Sequence, residues 1–298
     1  MRGFSALRQL EAVNGLQESH AQALAEGRLV DAHTVSAGDK KITAEYIVIG
    51  TGERAKRQNV PGKEYIHDST DFLSVDEFPK RLVAGDSFKV ALKGGGVIEC
   101  DYILEATGRQ ANADNLSLED VGVVFSEKGI KVNEYLQSSV PNIYASGDVI
   151  DKRIPRLTPT ASFESNYIAE HILGKKDPIS YPAIPNLVFT LPRIAQVGGS
   201  LDAAEKEPEK FRIEVVPYGK GMLFDSSNEE DNEFTFIFDG DNHLAGAAFY
   251  GSEAASLVNF VTLAINTKVT GSELDHMIFA FPAQTYGLSA VLAPMMMK

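Results

Sequence analysis

Three short apolar runs in this chain end on a glycine that follows a small polar residue. Ile47-Val48-Ile49 leads into Gly50-Thr51-Gly52, Ile103-Leu104 into Glu105-Ala106-Thr107-Gly108-Arg109, and Asn142-Ile143-Tyr144-Ala145 into Ser146-Gly147-Asp148. An uninterrupted apolar run of this length reads as a strand buried on both faces, which other layers of structure have to cover. The glycine at its end lets the backbone turn sharply and lets a ligand come close to it. Most of the function expected of this chain rests on these three segments.

The 298 residues suffice for two domains, and 44% apolar residues against 23% charged is a balance that buries ordinary cores. Forty-one acidic side chains against 28 basic leave a net charge of −13, most of it contributed beyond residue 175. That argues against a nucleic-acid partner, whose affinity rests on phosphate neutralisation by Lys and Arg. Cys100 is the only cysteine, so an intramolecular disulfide, a C-x-x-C dithiol and a multi-cysteine zinc site are excluded. No apolar signal region follows Met1-Arg2-Gly3-Phe4-Ser5, and no apolar run approaches the ~18 residues that span a bilayer, so a cytoplasmic protein without a membrane partner is expected.

Along the chain, residues 6–26 predict short amphipathic helices. Residues 28–35 and 41–49 predict a hairpin across Ala37-Gly38-Asp39, and residues 88–93 and 97–104 another across Gly94-Gly95-Gly96. The second strand of each ends in a buried-looking run. A helix is expected over 162–173, with Phe163, Ile168, Ala169 and Ile172 on one face. Residues 174–185, with three prolines, form the linker candidate. Beyond it, 211–218 and 234–238 read as strands, and Asp239-Gly240-Asp241-Asn242 turns the second into a strand over 244–250. A helix N-capped by Ser252, a short helix from Ser272 and a loosely packed Met295-Met296-Met297 tail complete the chain.

Gly50-Thr51-Gly52-Glu53-Arg54-Ala55 formally matches a dinucleotide-binding G-x-G-x-x-G/A loop, which must open a long helix holding the pyrophosphate. Here Lys56-Arg57-Gln58-Asn59-Val60-Pro61-Gly62 follows, with no apolar period and a proline that stops a helix, so the segment reads as a ligand-approaching turn. Gly94-Gly95-Gly96 reads as a hairpin turn. Asp225, Glu229, Glu230, Asp231 and Glu233 lack calcium-loop spacing and read as a solvated loop. Cys100 reads as a small core residue and His276 as a surface or packing histidine. At the third strand end, Asp148 is a carboxylate able to accept hydrogen bonds from a ribose or ribityl hydroxyl.

Taken together with Leu157-Thr158-Pro159-Thr160-Ala161 before a helix, these segments resemble the FAD-dependent pyridine nucleotide–disulfide oxidoreductases, the group of glutathione reductase and dihydrolipoamide dehydrogenase. Residues 46–61 are similar to that family's stretch between its ATG motif and its IPG turn, with Gly50 in place of the usual alanine. Residues 101–123, containing Ala106-Thr107-Gly108-Arg109 and Asn112, are similar to its second ATGR-x-x-N region, with Ala111 replacing a proline. Pro141-Asn142-Ile143-Tyr144-Ala145-Ser146-Gly147-Asp148 is close to its second flavin motif, and Leu157-Thr158-Pro159 to the segment whose backbone faces the flavin ring. Phe189-Thr190, Val197-Gly198, Asp239-Gly240-Asp241 and Gly251-Ser252-Glu253-Ala254 fit its dimer-interface domain. The resemblance implies a partial α/β, Rossmann-like FAD/NAD(P)-binding domain over 1–175, then an α+β dimerisation domain over 176–298 that forms a homodimer. It also implies FAD contacts at Thr51, Gly52, Gly147, Asp148, Leu157, Thr158 and Pro159.

Three departures set further expectations. The family's two G-x-G-x-x-G loops and its redox cysteine pair have no counterpart. The expectation is that residue 1 falls after the first loop and the cysteines, and that most of the nicotinamide domain is missing at a seam near Val83 and Ala84. Phe281-Pro282-Ala283-Gln284-Thr285-Tyr286 stands where the family has His-Pro-Thr-x-x-Glu, and phenylalanine cannot exchange protons. The leading reading is therefore an FAD-dependent oxidoreductase, inactive alone and weak or lost in FAD binding, with no catalytic or metal residues assignable. The other reading is a non-catalytic dimerisation module.

Overall fold

The computed structural model describes residues 26–76, 88–220 and 229–298. The helices expected over 6–26, the seam near Val83 and Ala84, and Asp225 lie outside the described residues. The chain divides into two compact units, the first ending at Ile179 and the second beginning at Ser180.

In the first unit, β1 (Gly27–Asp31), β2 (Thr34–Ala37) and β3 (Lys40–Thr43) form an antiparallel meander. The expected hairpin of two long strands is thereby corrected. The Asp31 carboxylate accepts the His33 amide at 2.8 Å and closes an additional turn. The apolar run after the meander leaves it altogether. As β4 (Ile47–Ile49) it pairs in parallel with the distant Ile143–Ala145, with Ile47 opposite Ile143 and Ile49 opposite Ala145.

The intervening chain supplies small pairs. After β5 (Glu53–Ala55), β6 (Ile66–His67) leads into α1 (Ser69–Phe72), which Asp68 and Asp71 cap reciprocally. Next, β7 (Phe88–Ala91) and β8 (Val97–Cys100) make the glycine-turned hairpin, with Cys100 buried at its end. The buried continuation expected for it is not found. Val97 and Ile98 are exposed, and β9 (Ile103–Leu104) pairs with β6 while Leu104 stays 42% exposed. β10 (Arg109–Ala111) lies antiparallel to β5, and β11 (Phe125–Ser126) to β12 (Gly129–Ile130).

β13 (Ile143–Ala145) precedes α2 (Thr158–Ile172). The helix starts four residues before expectation because Pro159 sits in its first turn, where a missing N–H costs nothing. Its buried side is Thr160, Glu164, Ser165, Tyr167 and Ile168, whereas Phe163 is exposed. The core of this unit gathers Ile47, Ile49, Leu118, Ile130, Ile143, Ala145, Val149, Ile150 and Ile168 around the β4–β13 pair.

The second unit contains β14 (Asn186–Val188), β15 (Ile194–Gly198), α3 (Leu201–Ala204), β16 (Arg212–Val216), β17 (Glu233–Phe238) and β18 (Leu244–Tyr250). The strands form one antiparallel sheet in the order β14, β15, β18, β17, β16. Phe234, Phe236 and Phe238 alternate along β17, and the first two meet Phe249 of β18, with Phe234 and Phe249 edge to face at 4.9 Å. Gly246 is required where β18 passes β15, since a Cβ there would lie 2.6 Å from the Gly199 carbonyl oxygen.

Next comes α4 (Ala254–Thr267), entered through Glu253 without a side-chain cap, not through Ser252. It supplies Leu257, Val258 and Val261 to the core. Thr270 and Glu273 cap α5 (Gly271–Asp275) reciprocally. The expected loose methionine tail is corrected: α6 (Gln284–Met296) carries Leu288, Leu292 and Met296 into the core.

Two tests follow from this packing. Phe236→Ala, which removes a fully buried ring, is expected to cost ~3–5 kcal/mol in urea unfolding, and Val215→Ala on the exposed side less than about 1 kcal/mol. In the first unit, the Asp71 and Thr70 backbone amides and Arg57 hold the Asp68 carboxyl below the ordinary aspartate range. Its contribution is complete above about pH 3.9 and is lost as the pH falls through the lower folded value. Asp68→Asn is therefore expected to destabilise at pH 6 and to cost progressively less as the pH is lowered below the ordinary aspartate range, read from unfolding curves across that range.

Candidate functional site

Parallel pairing brings the carboxyl ends of β4 and β13 side by side, and the Ser146 amide extends the ladder to the Ile49 carbonyl at 3.0 Å. Both glycine turns therefore leave the same end of one sheet, where ligands bind in open α/β sheets. Gly52 has φ 70° and Gly147 φ 77°, a left-handed conformation that favours glycine. Thr51 and Gly52 are pinned from the second Thr-Gly segment: the Asn112 amide donates to the Gly52 carbonyl at 2.8 Å, and Arg54 donates to the Asn112 side chain at 2.9 Å. Thr107-Gly108 joins the same region through Lys56, whose amide donates to the Gly108 carbonyl at 3.0 Å. No helix opens after Gly52, because β5 follows at once, as the proline-broken sequence implied.

The start of α2 faces the other turn. A Cβ on Gly147 would lie 3.2 Å from the Ala161 Cβ, and α2 packs on the 3-10 turn Gly147–Val149. Leu157, the residue before the helix, provides no side-chain cap. The first turn thus keeps backbone N–H groups without side-chain partners at the positive end of a 15-residue helix. Two buried hydroxyls, Thr51 Oγ1 and Thr160 Oγ1, also have no hydrogen-bond partner among the described residues. Asp148 is half-buried, and its carboxylate pairs with no group among the described residues. Six of the seven expected contact residues, Thr51, Gly52, Gly147, Asp148, Thr158 and Pro159, thus lie on the two turns or in the first turn of α2, and Leu157 immediately precedes it.

Charged groups beside these turns escaped the sequence reading. Glu53, its side chain 6% exposed, pairs with Arg109 at 3.3 Å and Arg156 at 3.2 Å on one wall of a cavity of about 380 Å³. Glu164 is fully buried in α2 and pairs with Lys152 at 2.7 Å. The available signal was a carboxylate three and four residues before Tyr167 and Ile168, on the apolar side of a helix.

In the second unit, Phe281 is exposed and meets Tyr286 edge to face at 5.3 Å, so the ring at position 281 has no group that exchanges protons. His276 is exposed, and its Nδ1 lies 2.7 Å from the Ser272 carbonyl. Among the described residues no cluster of His, Cys, Asp and Glu could hold a metal ion, and no helix is long and apolar enough to cross a membrane.

Comparison with known proteins fits this arrangement. Residues 80–165 match the family model "Pyridine nucleotide-disulphide oxidoreductase", and residues 184–289 match "Pyridine nucleotide-disulphide oxidoreductase, dimerisation domain". The dihydrolipoyl dehydrogenase of Chlamydia muridarum is 33% identical over 216 residues, 70% of this chain and 45% of the relative. That of Bacillus subtilis is 31% identical over 229 residues, 76% of this chain and 48% of the relative. The chain therefore spans about half the length of the dehydrogenases it matches. A Staphylococcus aureus protein described as "Uncharacterized 19.7 kDa protein in mercuric resistance operon" is 34% identical over 180 residues, 59% of this chain and the whole of the relative. Among solved structures, the HOCl-induced flavoprotein disulfide reductase RclA from Escherichia coli shares the fold, with a TM-score of 0.79 at 17% identity, over 90% of this chain and 78% of that one. The chain belongs to the pyridine nucleotide-disulphide oxidoreductase family and has an FAD/NAD(P)-binding domain followed by a dimerisation domain.

Proposed function

We propose that the chain is a flavin-dependent oxidoreductase of this family whose site lies on the two glycine turns and the start of α2. The single observation that carries the reading is the convergence there of an unpaired Asp148, two orphaned buried hydroxyls and an uncapped helix. That set of donors and acceptors fits a flavin's ribityl hydroxyls and ring carbonyls, and burial without such a partner costs each hydroxyl free energy. When bound, FAD would supply the capacity to take a hydride from NADH or NADPH and pass electrons to an acceptor.

The chain's own residues would hold and orient it. Asp148 accepts from ribityl hydroxyls. Gly52 and Gly147 allow close backbone approach, and Thr51 offers its hydroxyl. Leu157, Thr158 and Pro159 present backbone to the ring. Weak FAD retention is part of the proposal, since the sequence offers no G-x-G-x-x-G loop opening a helix that would anchor the pyrophosphate. The same reading takes residues 1–175 as a partial FAD-binding domain with a seam near Val83 and Ala84. It takes residues 176–298 as the surface of a cytoplasmic homodimer, and leaves the chain inactive alone for want of a cysteine pair and a proton relay.

The second reading, a non-catalytic dimerisation module, has its own support. Phe189, Leu191 and Ile278 are 78%, 92% and 100% exposed in the second unit, apolar surface that an isologous partner covers.

Purified full-length protein titrated with FAD, followed by flavin fluorescence and by absorbance under anaerobic NADH or NADPH, separates the two. Saturable quenching supports the flavin reading, with Asp148→Asn weakening binding by roughly 10–100-fold, the size of a lost set of hydrogen bonds to a charged group. A colourless dimer that leaves flavin fluorescence unchanged overturns it and supports the module.

A further inference from the structure

The Glu164 carboxylate has no place in the contacts proposed for FAD, yet it is among the least accessible groups of the first unit. Its side chain is 0% exposed, and that of Lys152 is 5%. Its two oxygens act on different parts of one segment. Oε2 accepts the Gly147 amide at 2.6 Å, and Oε1 pairs with Lys152 Nζ at 2.7 Å. One carboxylate thus ties down both the beginning and the end of the stretch that contains Asp148. Its neighbours on α2 reinforce the same joint: Ser165 Oγ lies 3.3 Å from Ser146 Oγ, and a Cβ at 147 would approach the Ala161 Cβ to 3.2 Å, a tight contact. Glu164 lies on the helix whose first turn holds Thr158 and Pro159, so a fixed Glu164 also fixes the separation between that turn and Asp148.

We propose that Glu164, by giving the Gly147 amide its buried acceptor, is a positioning residue that sets the Gly147–Asp148 turn against the start of α2 for its ligand. The proposal deepens the flavin reading and rests on it for the identity of that ligand. A buried ion pair is a poor source of net stability, because desolvation offsets its Coulomb energy, so the contact that matters here is the one to the Gly147 amide. The Gly147 amide is the group whose geometry depends on it: left without Glu164 it becomes a buried donor without an acceptor in a left-handed turn.

Two neutral double variants of the full chain separate positioning from simple stability. Lys152→Met with Glu164→Gln removes both charges but keeps an acceptor for the Gly147 amide. Lys152→Met with Glu164→Leu removes the acceptor as well. Amide hydrogen exchange at residues 147–149, read without ligand, is expected to stay within about 3-fold of wild type in the first and to rise by roughly 100-fold in the second, as local opening becomes easier. FAD affinity is expected to hold in the first and to fall at least about 10-fold in the second, with melting temperatures close to each other. Equal exchange and equal affinity in the two variants overturn the proposal. Should wild-type protein fail to bind FAD, the flavin reading falls, while the exchange difference still decides whether Glu164 sets the turn. If the leucine variant does not fold, Glu164→Gln alone against Glu164→Ala gives the same comparison.

Discussion

The parallel ladder between Ile47–Ile49 and Ile143–Ala145 is the contact on which the candidate site depends. It joins segments separated by more than ninety residues, and both strands are buried, so a shift in register would expose apolar side chains of each. Because the strands run the same way, the turns after them leave from one end. The ladder is also reinforced from outside. Asn142 donates to the Ala32 carbonyl at 2.6 Å, and the β11–β12 hairpin presses so closely on the chain after β13 that a Cβ on Gly129 would lie 2.4 Å from the Val149 carbonyl oxygen. Thr51, Gly52, Gly147 and Asp148 are neighbours only because this pairing forms.

Much of that was legible from residue order. Small polar residues and glycines directly after apolar runs mark strand ends, and the family resemblance, more than Gly147-Asp148 alone, pointed to that turn as a candidate site. The alternation of Phe234, Phe236 and Phe238, followed by an Asp-Gly turn, gave the central hairpin of the second unit with little ambiguity. What failed did so for identifiable reasons. The strand before Ala37 looked continuous because the turn at Ala32-His33 depends on a single Asp31 side chain, not on glycine or proline. Leu104 looked buried because an apolar run does not reveal whether another layer covers it. The last helix was hidden by Gly287 and Pro294, which weaken its local preference although tertiary packing of Leu288 and Leu292 sustains it.

Glu164 illustrates a different limit. A carboxylate in a helix is read by default as solvent-facing, and only the fold reveals that its partners are a glycine amide and a lysine that are both distant in sequence. Glu53 between Arg109 and Arg156 is hidden in the same way. Sequence identifies chemical groups at strand ends well, but the ions that hold those ends in place become visible only when the chain has closed around them.

The two units carry different parts of the functional argument. The first concentrates polar groups without partners among the described residues at strand ends and a helix start, which is why the flavin proposal is placed there. The second has a closed aromatic core and an exposed Phe281–Tyr286 pair where its relatives' resemblance would lead one to expect a proton relay. A crystal structure of the full chain grown with FAD decides whether the two glycine turns and the start of α2 hold a flavin. Flavin density is expected against Gly147, Asp148 and the first turn of α2, with the Thr51 and Thr160 hydroxyls within hydrogen-bonding reach of it or of water that it orders. Flavin density confined to any other surface, or none at saturating FAD, would contradict it.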